Sequence, residues 1–254
     1  MPVPLTKKLD LQQGKASIGA ACDQIGGFMD DTGMKQDIAH KRPWLLISLF
    51  FGISYPLIGT LPLPGVILLL WKMACVGSLI PFALRKHHSG EFVMLAAVLA
   101  LWALGDGLIE FEMLWGGIAF ALGHMVAIAL FLRHRRVKPA FSQKLLAITV
   151  LLLAPVIAYF LPSDRGQGLQ VAAYAVFVAA MAACAWNSNF PRYRVGVGAM
   201  AFVMSDLLIF AREGALSQAS WVSLAIWILY YGGVLMIATG VVTILVKRGH
   251  FVDE

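Results

Sequence analysis

Charge is scarce in this chain. Of its 254 residues only 13% are Asp, Glu, Lys or Arg, whereas 59% are hydrophobic and the mean hydropathy is +0.78. Soluble domains carry about a quarter charged residues. That deficit excludes an ordinary soluble fold and leaves an integral membrane protein. Cysteine is also rare: Cys22, Cys75 and Cys184 make no CxxC pair and have no histidine at metal spacing, so neither a zinc finger nor a disulfide scaffold is expected. The chain lacks the GxSxG nucleophile elbow of serine hydrolases and the HExxH of zinc proteases. Of the six histidines, His40, His87, His88, His134 and His250 fall at or near the ends of apolar runs and only His124 lies deep, which argues against a membrane zinc hydrolase built on several histidines. No metal and no cofactor is expected. No removable apolar leader is expected either, because residues 1–43 are polar and the first apolar run begins at Trp44.

What is present is a series of apolar runs. A transmembrane helix needs about 20 apolar residues to cross about 30 Å of hydrocarbon. On that scale the sequence divides into eight spans, at about 44–60, 66–84, 92–111, 113–132, 145–161, 169–186, 195–211 and 221–246. The expected architecture is an all-α membrane protein of eight transmembrane helices, with a polar extension at 1–43, a membrane domain at 44–246 and a tail at 247–254. The connections are built from turn chemistry, such as LPLPG at 61–65 and LPSDRGQG at 161–168. The basic excess, 20 Lys and Arg against 14 Asp and Glu, would suggest a nucleic-acid surface in a soluble protein. Here the basic residues sit in the short connections, and nucleic acid is not an expected partner. With the N-terminus inside, every Lys and Arg except Arg165, Arg212 and the intramembrane Lys72 falls on the inner side, which predicts that both termini are cytoplasmic. The expected location is a cell membrane, more finely a bacterial inner membrane.

Gly105 to Phe111 reads GDGLIEF, and one hundred residues later Ser205 to Ala211 reads SDLLIFA. The echo fits two parallel four-helix halves, and it equally fits coincidence within an apolar alphabet.

Ionisable side chains at mid-bilayer cost several kcal/mol, so each one inside a span is a functional candidate. With a rise of 1.5 Å per residue, Asp206 lies about 12 Å, Asp106 about 8 Å, Lys72 about 10 Å and His124 about 17 Å below the outer boundary. Tyr174 and Tyr230 fall at similar depth, and Glu110 one turn beyond Asp106 stands at the mouth. Blander readings compete: Lys72 as a snorkelling side chain, Asp106 as part of the loop before the fourth span, His124 as a packing residue. Asp206 has the weakest such alternative, because it interrupts an uncharged run far from either end. Two carboxylates with a His and a Lys suit acid/base chemistry in which one carboxyl keeps a proton while the other stays ionised. The same set suits a proton-coupled transporter of a small or amphipathic solute, and a lipid sensor without turnover is a third reading.

The pattern of these residues resembles a known family. Lys72, Gly105 with Asp106, then Gly116, Phe120 and His124, then Gly198, Phe202, Ser205 and Asp206, then Tyr230 with Tyr231 look like the elements of the lysoplasmalogenase, or YhhN-like, membrane proteins, in the family's order over roughly residues 45–245. Two positions depart: Ala127 stands where the family often has Tyr, and Val234 where it often has Gln. The resemblance implies a hydrolase that cleaves the vinyl ether of a lysoplasmalogen into a fatty aldehyde and a glycerophospho head group. A lysophospholipid and the bilayer itself are then its partners. It implies Asp106 and Asp206 as the catalytic pair, Lys72 and His124 as residues that steer their ionisation or orient water, and Tyr174, Tyr230, Ser205 and Glu110 on the substrate.

Overall fold

The computed structural model describes residues 43–84 and 90–250. The expected extension before Pro43, Cys22, His40, His87, His88 and most of the tail lie outside the described residues. Residues 42–245 form one compact unit; residues 1–41 with 246–254 form the other, of which only the end of the last helix is described.

Eight helices run through the described chain: α1 Pro43–Ile58, α2 Gly65–Ala83, α3 Gly90–Leu108, α4 Met113–Arg133, α5 Phe141–Phe160, α6 Arg165–Trp186, α7 Arg192–Arg212 and α8 Val222–His250. There are no named strands among the described residues, only isolated bridges between Arg135 and Ser188 and between Pro162 and Gly214. An all-helical answer is what hydrocarbon demands, since a helix satisfies its own backbone polar groups. Seven of the helices are long and apolar enough to cross a membrane; α1, an apolar helix of 10–17 residues, stands where the first of the eight expected spans was placed, at 44–60, and is shorter than the other seven. Its apolar run is cut by the turn at Gly59 and Thr60 and by Pro62 and Pro64, of which Pro64 caps α2 in an extended conformation.

Helix ends follow local chemistry. Asp164 caps α6 by accepting from the Gly166 amide at 2.9 Å. Pro191 precedes α7, whose first turn, Arg192–Gly196, is a π-helix. The third span stops at Leu108, earlier than expected, and the following turn carries Glu110 out of the helix. Connections at one end of the bundle also bind each other: the Arg136 amide donates to the Asn187 carbonyl at 2.9 Å and the Asn189 amide to that of His134 at 2.7 Å.

Packing is closest where side chains are smallest. A Cβ on Gly198 of α7 would come within 2.7 Å of the Gly233 carbonyl of α8, and one on Gly233 within 2.6 Å of the Gly198 carbonyl, so the two backbones touch. Ser205 extends the same seam by donating to the Ile226 carbonyl at 3.1 Å. Helix α1 lies on α2 and α8 through the Trp227 indole, which donates to the Gly52 carbonyl at 2.8 Å, and through Ser48, which donates to the Cys75 carbonyl and pairs with the Tyr231 hydroxyl.

The orientation predicted by loop charge has a direct check. Ser163 is exposed in the connection between α5 and α6. In Ser163→Cys, made on a background without other accessible thiols, an impermeant maleimide should label the protein from the outer face of intact cells. Labelling only after the membrane is opened would invert the topology.

Candidate active site

One cavity of about 500 Å³ gathers most of the polar residues singled out in the sequence. Lys72 from α2, Asp106 from α3, Tyr174 from α6, Asp206 from α7 and Tyr230 from α8 all line it. Asp106 is 1% and Asp206 5% exposed, which settles the placement of Asp106: it belongs to the last turn of α3 and points into the bundle.

Each carboxylate is held by a tyrosine from another helix. The Tyr230 hydroxyl donates to Asp106 Oδ2 at 2.5 Å, and the Tyr174 hydroxyl donates to Asp206 Oδ2 at 2.8 Å. Beyond that their surroundings differ. Lys72 Nζ stands 3.8 Å from Asp106 Oδ1 and donates to Glu110 Oε1 at 3.0 Å, so one ammonium is shared between a buried and a half-exposed carboxylate. No cation within ion-pair distance of Asp206 is found among the described residues; its chain of partners continues to a histidine instead, with His124 Nε2 lying 3.2 Å from the Tyr174 hydroxyl. A tyrosine hydroxyl has one proton. When Tyr174 gives it to Asp206, the bond from His124 must run from Nε2–H to the Tyr174 oxygen. This leaves Nδ1, buried and without a hydrogen-bond partner, as the bare nitrogen of a neutral ring, the less costly state for an unpaired site.

Three of the expected residues do not line the cavity. His124 stands behind Tyr174, packed against Trp102 and Phe202 with ring centroids at 5.6 and 5.0 Å. Ser205 is fully buried and turned to the α8 backbone. Glu110 reaches the site only through Lys72. The small and aromatic residues of the sequence pattern form the floor: Gly105 gives room for Phe120, to whose ring a Cβ would come within 2.7 Å, and Phe202 meets Trp102, Phe120 and Tyr230 edge-on or tilted at 4.9 to 6.1 Å. Gln167, Gln170 and Glu112 line the cavity as well and were not anticipated. The glutamines are three apart on the first turns of α6, a polar pair on one face that the apolar run starting at 169 hides.

The family model that matches this chain is that of the YhhN family, over residues 67–241. The chain belongs to the YhhN family. This is the lysoplasmalogenase family, and the match runs from Ile67 in the first turn of α2 to Val241 in the second half of α8, so it contains every residue of the site. Comparison with curated proteins and with solved structures returns no match. A multi-pass membrane protein of the YhhN family therefore carries two buried carboxylates, each with its own tyrosine and, among the described residues, only one with a cation, on a cavity whose walls are mostly apolar.

Proposed function

We propose that the protein hydrolyses the vinyl ether bond of a lysoplasmalogen, releasing a fatty aldehyde and a glycerophospho head group. The observation that carries this reading is the unlike pair of carboxylates on one cavity: Asp106 beside Lys72, Asp206 beside Tyr174 alone. A vinyl ether opens when an acid protonates its β carbon, which turns the ether carbon into an oxocarbenium ion. In this scheme Asp206, with no cation at ion-pair distance among the described residues, is the acid that delivers the proton, and Asp106, with Lys72 beside it, is the ionised partner. Asp106 then stabilises the cation and accepts a proton from the water that attacks it, as the second carboxylate does in glycoside hydrolysis. The hemiacetal so formed collapses to aldehyde and free glycerol hydroxyl. Tyr174 and Tyr230 fix the carboxyl groups, and His124 holds Tyr174 from behind.

The decisive experiment is incubation of the detergent-purified protein with an alkenyl lysophospholipid followed by aldehyde detection. An intact lipid after binding would leave a sensor, and solute uptake coupled to protons in proteoliposomes would favour a transporter.

Turnover should persist in chelator. Among the described residues no three His, Cys, Asp or Glu side chains are grouped to hold a metal ion. Asp106 and Asp206, each already bonded to a tyrosine, lack the nitrogen or sulfur partners that zinc prefers. Activity lost in chelator and restored by zinc would replace the acid/base scheme by metal ligation.

A further inference from the structure

The cavity is lined by buried residues on some helices and by exposed ones on others. On α7 and α8 its lining includes the buried Asp206, Phe210, Trp227 and Tyr230. Every exposed residue that lines it belongs to α4, to the residue just before α4, or to α6: Glu112, Met113, Leu114, Ile118, Gln167, Gln170 and Phe177. Their chemistry differs between the two helices. Glu112, Gln167 and Gln170 sit within or just before the first two turns, as do Leu114 and Ile118 of α4, which are 54% and 40% exposed, whereas Phe177, 37% exposed, sits further in on α6. From Gln167 to Phe177 the helix climbs about 15 Å, half of the hydrocarbon thickness. Over its first two turns the gap between α4 and α6 is thus polar on the α6 side and apolar on the α4 side, and at Phe177 it is apolar.

Small residues border it on α4. Leu114, Gly117, Ile118 and Ala121 lie on one face of α4, at helical spacing, and Gly117 is directed at Tyr174: a Cβ there would meet nothing nearer than Tyr174 Cδ2 at 4.0 Å. Its neighbour Gly116 is the opposite case, with the Ile109 backbone 2.7 Å from where a Cβ would stand. Gly116 is a packing glycine; Gly117 borders empty space beside the group that holds Asp206.

We infer that the gap between α4 and α6 is a lateral portal through which a single hydrocarbon chain reaches from the reacting carbon into the bilayer, and that Gly117 sets its width. The inference rests on the lysoplasmalogenase reading for the identity of the amphiphile, and the geometry alone for the route. The head group lies towards Glu112, Gln167 and Gln170, the chain passes Gly117 beneath Tyr174, and its free end emerges past Ile118 and Phe177. A side chain that fills the gap obstructs a long chain and spares one short enough to end inside the cavity.

The test compares wild type with Gly117→Leu on alkenyl lysophospholipids with a short and a long alkenyl chain. The ratio of kcat/KM for the long over the short substrate should fall at least tenfold in Gly117→Leu and stay within twofold of wild type in Gly117→Ala. An unchanged ratio in Gly117→Leu would overturn the portal. A second measurement needs no variant and no turnover: a lysophospholipid with a mid-chain diazirine, irradiated with the wild-type protein in bilayers, should label peptides containing Ile118 or Phe177. Labelling confined to α1, α5 or α8 would overturn it. If the chain labels α4 and α6 but no alkenyl lipid is cleaved, the portal stands and the hydrolase reading fails; if lipid is cleaved while the label falls elsewhere, the reverse holds.

Discussion

Asp206→Asn should remove turnover and leave a folded protein. The carboxyl is 5% exposed and bonded to one tyrosine, and the amide that replaces it has nearly the same shape and can still accept from Tyr174. Asn needs no counter-charge, so the bundle has little reason to loosen. The amide nitrogen cannot deliver a proton to carbon, and loss of a positioned acid typically costs about 10² to 10⁴ in rate. The measurement is aldehyde release beside thermal unfolding in detergent, for Asp206→Asn, Asp106→Asn and both together. Groups that serve one transition state act as a unit, so the double variant should be scarcely slower than the worse single one. Full activity in Asp206→Asn, or a lower melting temperature with normal activity per folded molecule, would reassign Asp206 as structural.

Gly198→Leu should have the largest effect on folding. The position faces the Gly233 carbonyl at a distance no Cβ can tolerate, with Met236 and Ile237 closing the sides. Backbone cannot rotate away as a side chain can, and overpacking of this kind costs about 1–3 kcal/mol or more. Helices α7 and α8 would be pushed apart, and with them Asp206 and Tyr230. Gly232→Ala, one residue from Gly233 but with nothing within 4 Å of its Cβ, is the control. It should melt at or slightly above the wild-type temperature, because alanine gains about 1 kcal/mol over glycine within a helix. The check is monodisperse yield and unfolding midpoint for the two variants side by side; equal behaviour would mean that the seam between α7 and α8 is not a close backbone contact.

Much of the bundle was readable from the sequence because hydrocarbon permits so few solutions. Long apolar runs, the prolines at 62 and 64 and the Asp164 cap mark helix ends, and a lone Asp in an apolar run such as 195–211 has few structural excuses. What stayed hidden is whatever depends on which helices are neighbours. Nothing in the order of residues says that Tyr230 belongs to Asp106 and Tyr174 to Asp206, or that His124 acts from behind a tyrosine. Gly116 and Gly117 are identical letters about 100° apart around α4, and only the packing of the bundle gives one to a neighbour's backbone and the other to the cavity. Helix α1 shows the limit of a hydropathy criterion: its composition is that of a span, but turn residues cut it short.

The support of the two carboxylates is crossed. Asp106, in the first four helices, depends on Tyr230 in the last four; Asp206, in the last four, is held by a tyrosine whose own partner, His124, lies in the first four. Mutational effects in this protein should therefore be epistatic across the middle of the chain: the tolerance of a position near residue 230 is decided by what stands at 106, 124 residues earlier, and a change acceptable in one background becomes harmful in another. Chimeras that exchange one half with a relative's would inherit mismatched partners at both carboxylates at once, so the natural unit of exchange is the full set of eight helices.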